Sequence, residues 1–140
     1  MSGFWRSWLT VWCWVVGLFG LGLVGGGLEA TSAPVRLLFW ILNGPEPLDL
    51  TAQMRFSLAV MGAVTIGWSL TLAAAIQAAV LLGERGRSIW VLLVGAVSCW
   101  FLIDTPMSIV TGYAMNAVPN TLIFAAFLLP ILRGGVLKRA

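Results

Sequence analysis

The chain has 140 residues, of which 60% are apolar and only 9% are charged. Soluble domains contain about 25% charged residues, so the composition excludes an ordinary water-soluble fold and indicates one transmembrane domain, residues 1–140. The net charge of +3 does not indicate nucleic-acid binding, because the basic residues lie singly or in pairs beside apolar runs and form no basic cluster.

The side chains that most often carry enzyme chemistry are scarce. Histidine, the commonest acid–base catalyst and metal ligand, does not occur. Cys13 and Cys99 fall in apolar segments that we place in opposite leaflets, so we interpret them as small buried apolar side chains without a disulfide. We expect no catalytic residue, no metal and no cofactor.

Four apolar runs are long enough to cross a membrane. A helix rises 1.5 Å per residue, so a hydrocarbon core of about 30 Å needs about 20 residues. The first run exceeds the roughly 7 to 15 apolar residues of a secretory signal and is interpreted as an uncleaved helix. The predicted all-α fold is an integral membrane four-helix bundle with an outer loop at 29–50 and spans at about 8–28, 54–82, 88–104 and 108–132.

The basic residues predict the orientation of these spans. Four crossings place both termini on one side, and loops on the cytoplasmic side carry an excess of Lys and Arg. Cytoplasmic termini leave only Arg36 and Arg55 on the outer side. The basic residues on the inner side are then Arg6, Arg85, Arg87, Arg133, Lys138 and Arg139. We therefore predict a multi-pass protein of a bacterial inner membrane.

Tryptophans fit the same frame, because indole rings prefer the headgroup level. Trp40 and Trp100 are expected at the outer interface. The tryptophans expected at the inner interface are Trp5, Trp8, Trp12 and Trp90.

The outer loop contains an apolar stretch, 35–42, that is too short to span a membrane. We expect a helix lying along the outer surface, with Phe39 and Trp40 in the headgroups; a lid over a substrate is the alternative. Its predicted boundary signals are Thr31 or Ser32 as N-cap, Pro34 in the first turn and Asn43-Gly44 at the end.

Small residues predict where the spans pack, because helices in lipid associate through close contact at small side chains. The first span has two glycines at GxxxG spacing, and the second has a small residue at every fourth position. The predicted packing residues are Gly22, Gly26, Ala59, Ala63, Gly67 and Thr71.

Asp104 and two asparagines interrupt the apolar second half of the chain. Thr105-Pro106 is a favourable helix start, which predicts that the third helix ends near Asp104. Asp104 would then lie by the positive end of the next helix. Two alternatives remain open: the last helix begins near Pro106, or 105–113 form a loop and it begins near Ala114.

Arg55, at the outer end of the second span, is the expected partner of Asp104, since paired charges at one leaflet cost less than isolated ones. One hypothesis is an outward-facing ligand pocket. The other is a structural latch that ties the fourth span to the second. The predicted pocket residues are Arg55, Asp104, Thr105, Ser108, Asn116 and Asn120.

Three classes of function are compatible with these residues. The first is a non-enzymatic membrane protein that binds a lipid, a hydrophobic small molecule or a membrane-complex partner. The second is a small oligomeric carrier or channel using Asp104, Asn116 and Asn120. The third, an intramembrane enzyme with Asp104 as acid or base, lacks an accompanying nucleophile or cofactor motif. Expected partners are the bilayer, a further copy of the chain or a larger membrane complex, and no nucleic acid.

Two stretches, MRFSLAVMGAVTIGWSLTL and CWFLIDTPMSIVTGYAMNAVPN, resemble small four-helix bacterial inner-membrane proteins to which no chemistry is assigned. The resemblance covers about residues 54–133 and leaves out the first span and the outer loop. It implies the fold and a bacterial membrane, and no activity. Its anchor residues are Arg55, Gly62, Gly67, Trp68, Trp100, Asp104, Ser108, Gly112, Asn116 and Asn120.

Overall fold

The computed structural model describes residues 1–45 and 48–137. All regular secondary structure in these residues is helical, which confirms the predicted class. Single turns of 3-10 helix occur at Glu29–Thr31, Gly83–Gly86 and Ala114–Asn116. The five α-helices of the described residues are α1 (Gly3–Gly25), α2 (Ala33–Asn43), α3 (Ala52–Leu81), α4 (Arg87–Val110) and α5 (Ala117–Arg133).

Four of these helices are long and apolar enough to cross a membrane, and together with their exposed apolar side chains they indicate a membrane protein. Each of the four exposes large apolar side chains, for example Leu21, Leu70, Leu92 and Leu122, which are 57%, 65%, 72% and 65% exposed. Soluble proteins rarely expose such surfaces, whereas lipid tails are as apolar as leucine. Lys138 and Arg139, two of the predicted inner basic residues, lie outside the described residues.

The predicted break at Asp104 is wrong, because α4 continues through Thr105 and Pro106 to Val110. The stop is Gly112, whose φ of +91° is a conformation that glycine adopts without steric cost. The amide of Gly112 donates to the carbonyl of Ile109 at 3.2 Å, and that of Tyr113 to the carbonyl of Ser108 at 2.8 Å. These are the two bonds of a Schellman C-cap. The last helical segment then begins with the 3-10 turn at Ala114, where one of the two alternatives placed it, but the loop that this alternative predicted at 105–113 is wrong, since 105–110 are helical.

The fold divides into two compact units. The terminal unit comprises Met1–Cys13 and Thr71–Ala140, and the central unit comprises Trp14–Leu70. The boundary falls within α1 and within α3.

In the central unit the backbones of α1 and α3 touch at two glycines. A Cβ on Gly62 would lie 2.5 Å from the carbonyl oxygen of Gly20, and one on Gly20 would lie 2.9 Å from that of Gly62. Contact this close allows dispersion and weak Cα–H···O interactions along both backbones. Next to this crossing lies a core of buried side chains, Leu23, Val35, Leu50 and Leu58.

Two of the six predicted packing residues lie at contacts between helical segments: Gly26, in the turn directly after α1, and Ala59 on α3. Gly26 lies against Val35 and Leu58, and the Cβ of Ala59 lies 3.1 Å from where one on Gly27 would be. The other four positions are more open: Cβ atoms at Gly22 and Gly67 would meet nothing within 4 Å, and Ala63 and Thr71 are exposed. The row of α3 in contact is displaced by one residue, about 100° around the helix, and includes Leu58, Gly62, Ile66 and Ser69.

The short helix predicted between the first two spans is present as α2, with Ser32 as N-cap residue, Pro34 in its first turn and Gly44 as C-cap; its place along a membrane surface stays a prediction. Trp40 is exposed. Phe39 was expected in the headgroups but packs against the core of the central unit.

In the terminal unit, two tryptophans of α1 donate hydrogen bonds to backbone carbonyls of α5. Pro130 lacks the amide hydrogen that would bond the carbonyl of Ala126, and the indole Nε1 of Trp8 donates to that carbonyl at 2.8 Å. Trp12 donates to the carbonyl of Ile123 at 2.9 Å. These bonds tie the start of α1 to α5 and satisfy a carbonyl that the proline frees.

The tryptophans predicted at the inner interface are therefore partly reassigned. Trp12 and Trp90 are only 5% and 1% exposed, so they fill the interior of the terminal unit. Trp12 also contacts Phe127, with ring centroids 5.1 Å apart. The nearly full burial of these two rings means that they contact protein side chains and not lipid headgroups.

The glycine crossing predicts opposite effects of one substitution at two positions of α3. Gly62→Ala should destabilise the protein by about 1 to 3 kcal/mol, the usual cost of overpacking. Gly67→Ala adds the same methyl where a Cβ meets nothing within 4 Å, and alanine has the higher helix propensity. Thermal unfolding of both variants in one detergent should give a lower melting temperature for Gly62→Ala alone. Equal melting temperatures would contradict the close crossing.

Candidate functional site

Five of the six predicted pocket residues meet where α4 and α5 join. Asp104, Thr105 and Ser108 lie on the last turns of α4, with Asp104 and Ser108 four residues apart on one face. Asn116 and Asn120, also four apart, lie at the start of α5. The chain reverses between them at the turn that Gly112 closes. We call these five residues the Asp104 cluster.

Hydrogen bonds join all members of the Asp104 cluster. The Oδ2 atom of Asp104 accepts from Nδ2 of Asn120 at 2.6 Å and from Nδ2 of Asn116 at 3.5 Å. The Asn120 amide also donates to Oγ1 of Thr105 at 3.2 Å. The Asn116 amide donates to Oγ of Ser108 at 2.9 Å, and the Ser108 hydroxyl donates to the backbone carbonyl of Asp104 at 2.8 Å. The network links α4 to the first turn of α5.

The carboxylate of Asp104 has neutral partners on one oxygen only. Both amides bond to Oδ2, and Oδ1 accepts no hydrogen bond from residues 1–45 or 48–137. No side-chain N or O atom of these residues is both buried and without a partner, so Oδ1 is open to the surroundings. Asn120, by contrast, is 5% exposed. The cluster therefore combines a buried amide with an accessible carboxylate oxygen.

Arg55 was predicted to pair with Asp104, and its ion pair is instead with Glu29. Nη2 of Arg55 contacts Oε2 of Glu29, and Nη1 donates to the carbonyl of Gly26 at 3.3 Å. Nη2 of Arg36 contacts Oε1 of the same glutamate at 3.0 Å. We call Glu29, Arg36 and Arg55 the Glu29 clamp. Arg55 can reach Glu29 because this residue follows α1 within one short turn and lies beside the first turn of α3.

The Glu29 clamp joins three segments of the central unit. Arg36 also donates from Nη1 to the carbonyl of Leu48 at 2.8 Å, and from Nε to Oγ of Ser32 at 3.3 Å. These contacts fix α2 between the end of α1 and the start of α3. The sequence placed Arg36 on the outer side without a partner, and it did not single out Glu29, because acidic residues carry little weight in the orientation rule.

The described residues contain no group of three or more His, Cys, Asp or Glu side chains that could hold a metal ion. Cys13 is buried as expected, whereas Cys99 is exposed. The chemistry at the Asp104 cluster is that of one carboxylate, two amides and two hydroxyls, which bind hydrogen-bond donors and positive charge.

The chain matches no protein-family model, no curated protein and no solved structure.

Asn120 is a buried amide that joins α5 to α4 through two side-chain hydrogen bonds. Asn120→Leu should lower the melting temperature, because it removes two side-chain hydrogen bonds, each worth about 0.6 to 2 kcal/mol between membrane helices. Thr121→Val is the matched control, since the Thr121 hydroxyl bonds only to the carbonyl of Ala117 in its own helix. Thermal unfolding in detergent measures both, and an Asn120→Leu variant as stable as Thr121→Val would refute the role of the amide.

The Glu29 clamp predicts local loosening when its acid is neutralised. Glu29→Gln should increase tryptic cleavage after Arg36 and leave the melting temperature almost unchanged, because an exposed ion pair contributes at most about 1 kcal/mol. Asp49→Asn removes the same charge from the same loop without breaking the clamp. Equal cleavage rates of the two variants would show that the clamp does not hold α2.

Proposed function

We propose that this chain is a non-enzymatic, multi-pass protein of a bacterial inner membrane that binds an amine-bearing lipid or hydrophobic small molecule at the Asp104 cluster. The single observation that carries the proposal is the carboxylate of Asp104, whose hydrogen bonds from described side chains come only from neutral amides and leave Oδ1 open. A primary ammonium group supplies both the N–H donors and the charge that this oxygen lacks.

The charge distribution supports an outer-leaflet position for this site. The positive-inside rule favours cytoplasmic termini, and α4 then starts at the inner side with Arg87 and reaches Asp104 after a rise of about 26 Å. A carboxylate near the edge of the hydrocarbon costs less than one at its centre. Lipid headgroups with an ammonium group lie at the same depth.

Amide oxygens extend the proposed site. Asn116 and Asn120 both use Nδ2 within the cluster, and neither Oδ1 atom accepts a hydrogen bond from the described residues. Because Asn120 is buried, the Oδ1 atom of the half-buried Asn116 is the more accessible acceptor for a remaining N–H group of an ammonium ion. The predicted latch tied the fourth span to the second, whereas these bonds join α4 and α5, the third and fourth long helices. A latch between α4 and α5 and a ligand site differ in whether the open oxygens bind a ligand.

Two other functions have weaker structural support than ligand binding. An oligomeric carrier draws support from the exposed Ala63 and Gly67 on α3, where a second copy would find a surface of small residues. An intramembrane enzyme needs a second reacting group, and the described hydrogen bonds of Asp104 are to amides and one hydroxyl. We therefore favour ligand binding.

The proposal is tested by thermal unfolding of the full chain in a neutral detergent, with phosphatidylethanolamine or phosphatidylcholine of identical acyl chains. The ethanolamine lipid should raise the melting temperature, since a ligand at a hundredfold excess over its Kd stabilises by about 2.7 kcal/mol. The choline lipid lacks N–H donors and should have a smaller effect. Asp104→Asn should remove the difference between the lipids.

Arg55→Gln is the control, because Arg55 belongs to the Glu29 clamp and the difference between the lipids should persist. If Asp104→Asn lowers the melting temperature and leaves the lipid response intact, Asp104 is a latch and the binding proposal is wrong.

A further inference from the structure

A second site lies at the other end of α4, independent of the Asp104 cluster. The terminal unit contains a cavity of about 680 Å³ where α1 and α4 begin and α3 and α5 end. Ligand sites typically have volumes of about 300 to 1,000 Å³. The cavity walls include the charged residues Arg6, Glu84 and Arg87 and the apolar residues Ala79 and Trp90.

The two arginines have N–H groups that form no hydrogen bond within the described residues. Arg87 donates from Nε to the carbonyl of Leu137 at 3.0 Å, which fixes the side chain at the wall. Its Nη groups and the guanidinium of Arg6 donate to no side chain or carbonyl of the described residues, and neither arginine pairs with Glu84 within 4.0 Å. Each guanidinium carries five N–H donors, and both residues line the cavity, so they have donors available for a ligand there.

The arginines, and not the helix ends, set the sign of the potential. α1 and α4 present N-terminal ends, which favour anions, whereas α3 and α5 present C-terminal ends, which favour cations. These contributions oppose each other. Two guanidinium groups against the single carboxylate of Glu84 leave the walls net positive. Below them, Trp90 and Ala79 are 1% and 0% exposed and form an apolar, densely packed boundary.

We propose that this cavity binds a phosphate group, carried by an anionic phospholipid or by a soluble phosphate compound. The guanidinium fork matches two phosphate oxygens at once. The cavity lies at the ends of helices that can span a membrane, the depth at which lipid phosphates lie, and the cytoplasmic leaflet is the one rich in anionic lipids. Glu84 opposes the binding of anions and limits their affinity.

The test is native mass spectrometry of the full chain in neutral detergent, titrated with phosphatidylglycerol and with diacylglycerol of the same acyl chains. Phosphatidylglycerol should bind and diacylglycerol should not. Arg6→Gln and Arg87→Gln should each weaken binding about tenfold, because each removes charge-assisted hydrogen bonds to phosphate. Arg85→Gln removes the same charge two residues from Arg87, at an exposed position that does not line the cavity, and should leave affinity nearly unchanged.

Glu84→Gln provides a result that misfolding cannot imitate, since it should tighten binding of phosphatidylglycerol severalfold. A parallel titration with inorganic phosphate separates the two sources. Displacement of the lipid by phosphate indicates a site for soluble phosphates, and lipid binding without displacement indicates a headgroup site. Equal affinity of the Arg6, Arg87 and Arg85 variants, or equal binding of both lipids, would overturn the proposal.

Discussion

Hydrocarbon offers no hydrogen bonds, and this constraint governs both the helices and the places where they are interrupted. A proline inside a transmembrane helix frees a carbonyl that water cannot reach. Pro130 in α5 frees the carbonyl of Ala126, and the indole of Trp8 supplies the missing donor from another helix. The carbonyl that the proline leaves without a helical partner thus forms a hydrogen bond between α1 and α5. The Asp104 cluster follows the same principle with side chains, since each hydroxyl and amide in it finds a partner nearby.

The segments that cross a membrane could be predicted from the sequence because hydropathy is a sum over many residues. Packing faces could not be predicted as well, since they depend on the rotation of one helix about its axis. A displacement of one residue turns the face by about 100°, so Gly62 lies at the crossing where Ala63 was expected. When small residues occur all around a helix, no single stripe of them identifies the face in contact.

The sequence predicted five residues that meet in the polar cluster. It did not predict which acid pairs with Arg55. Asp104 with Ser108 and Asn116 with Asn120 are each four residues apart, which places each pair on one helical face, and the short turn between α4 and α5 brings the faces together. Arg55 was assigned to Asp104 because both were expected at one leaflet. Arg55 contacts Glu29, which follows the end of α1 and also binds Arg36. Arg55 pairs with Glu29 because the turn after α1 brings this carboxylate beside the first turn of α3.

This pairing determines which charges remain for ligands. The Glu29 clamp uses both arginines that were predicted on the outer side, so neither neutralises Asp104. The alignment of Asp104 with the two asparagines depends on Gly112. This glycine ends α4 and forms the turn that sets where α5 begins to run back along α4. Had the helix ended at Thr105-Pro106, Ser108 would lie beyond the end of α4 and its bond to the Asp104 carbonyl would be lost. One glycine with positive φ thus aligns two amides with one carboxylate and leaves its second oxygen open.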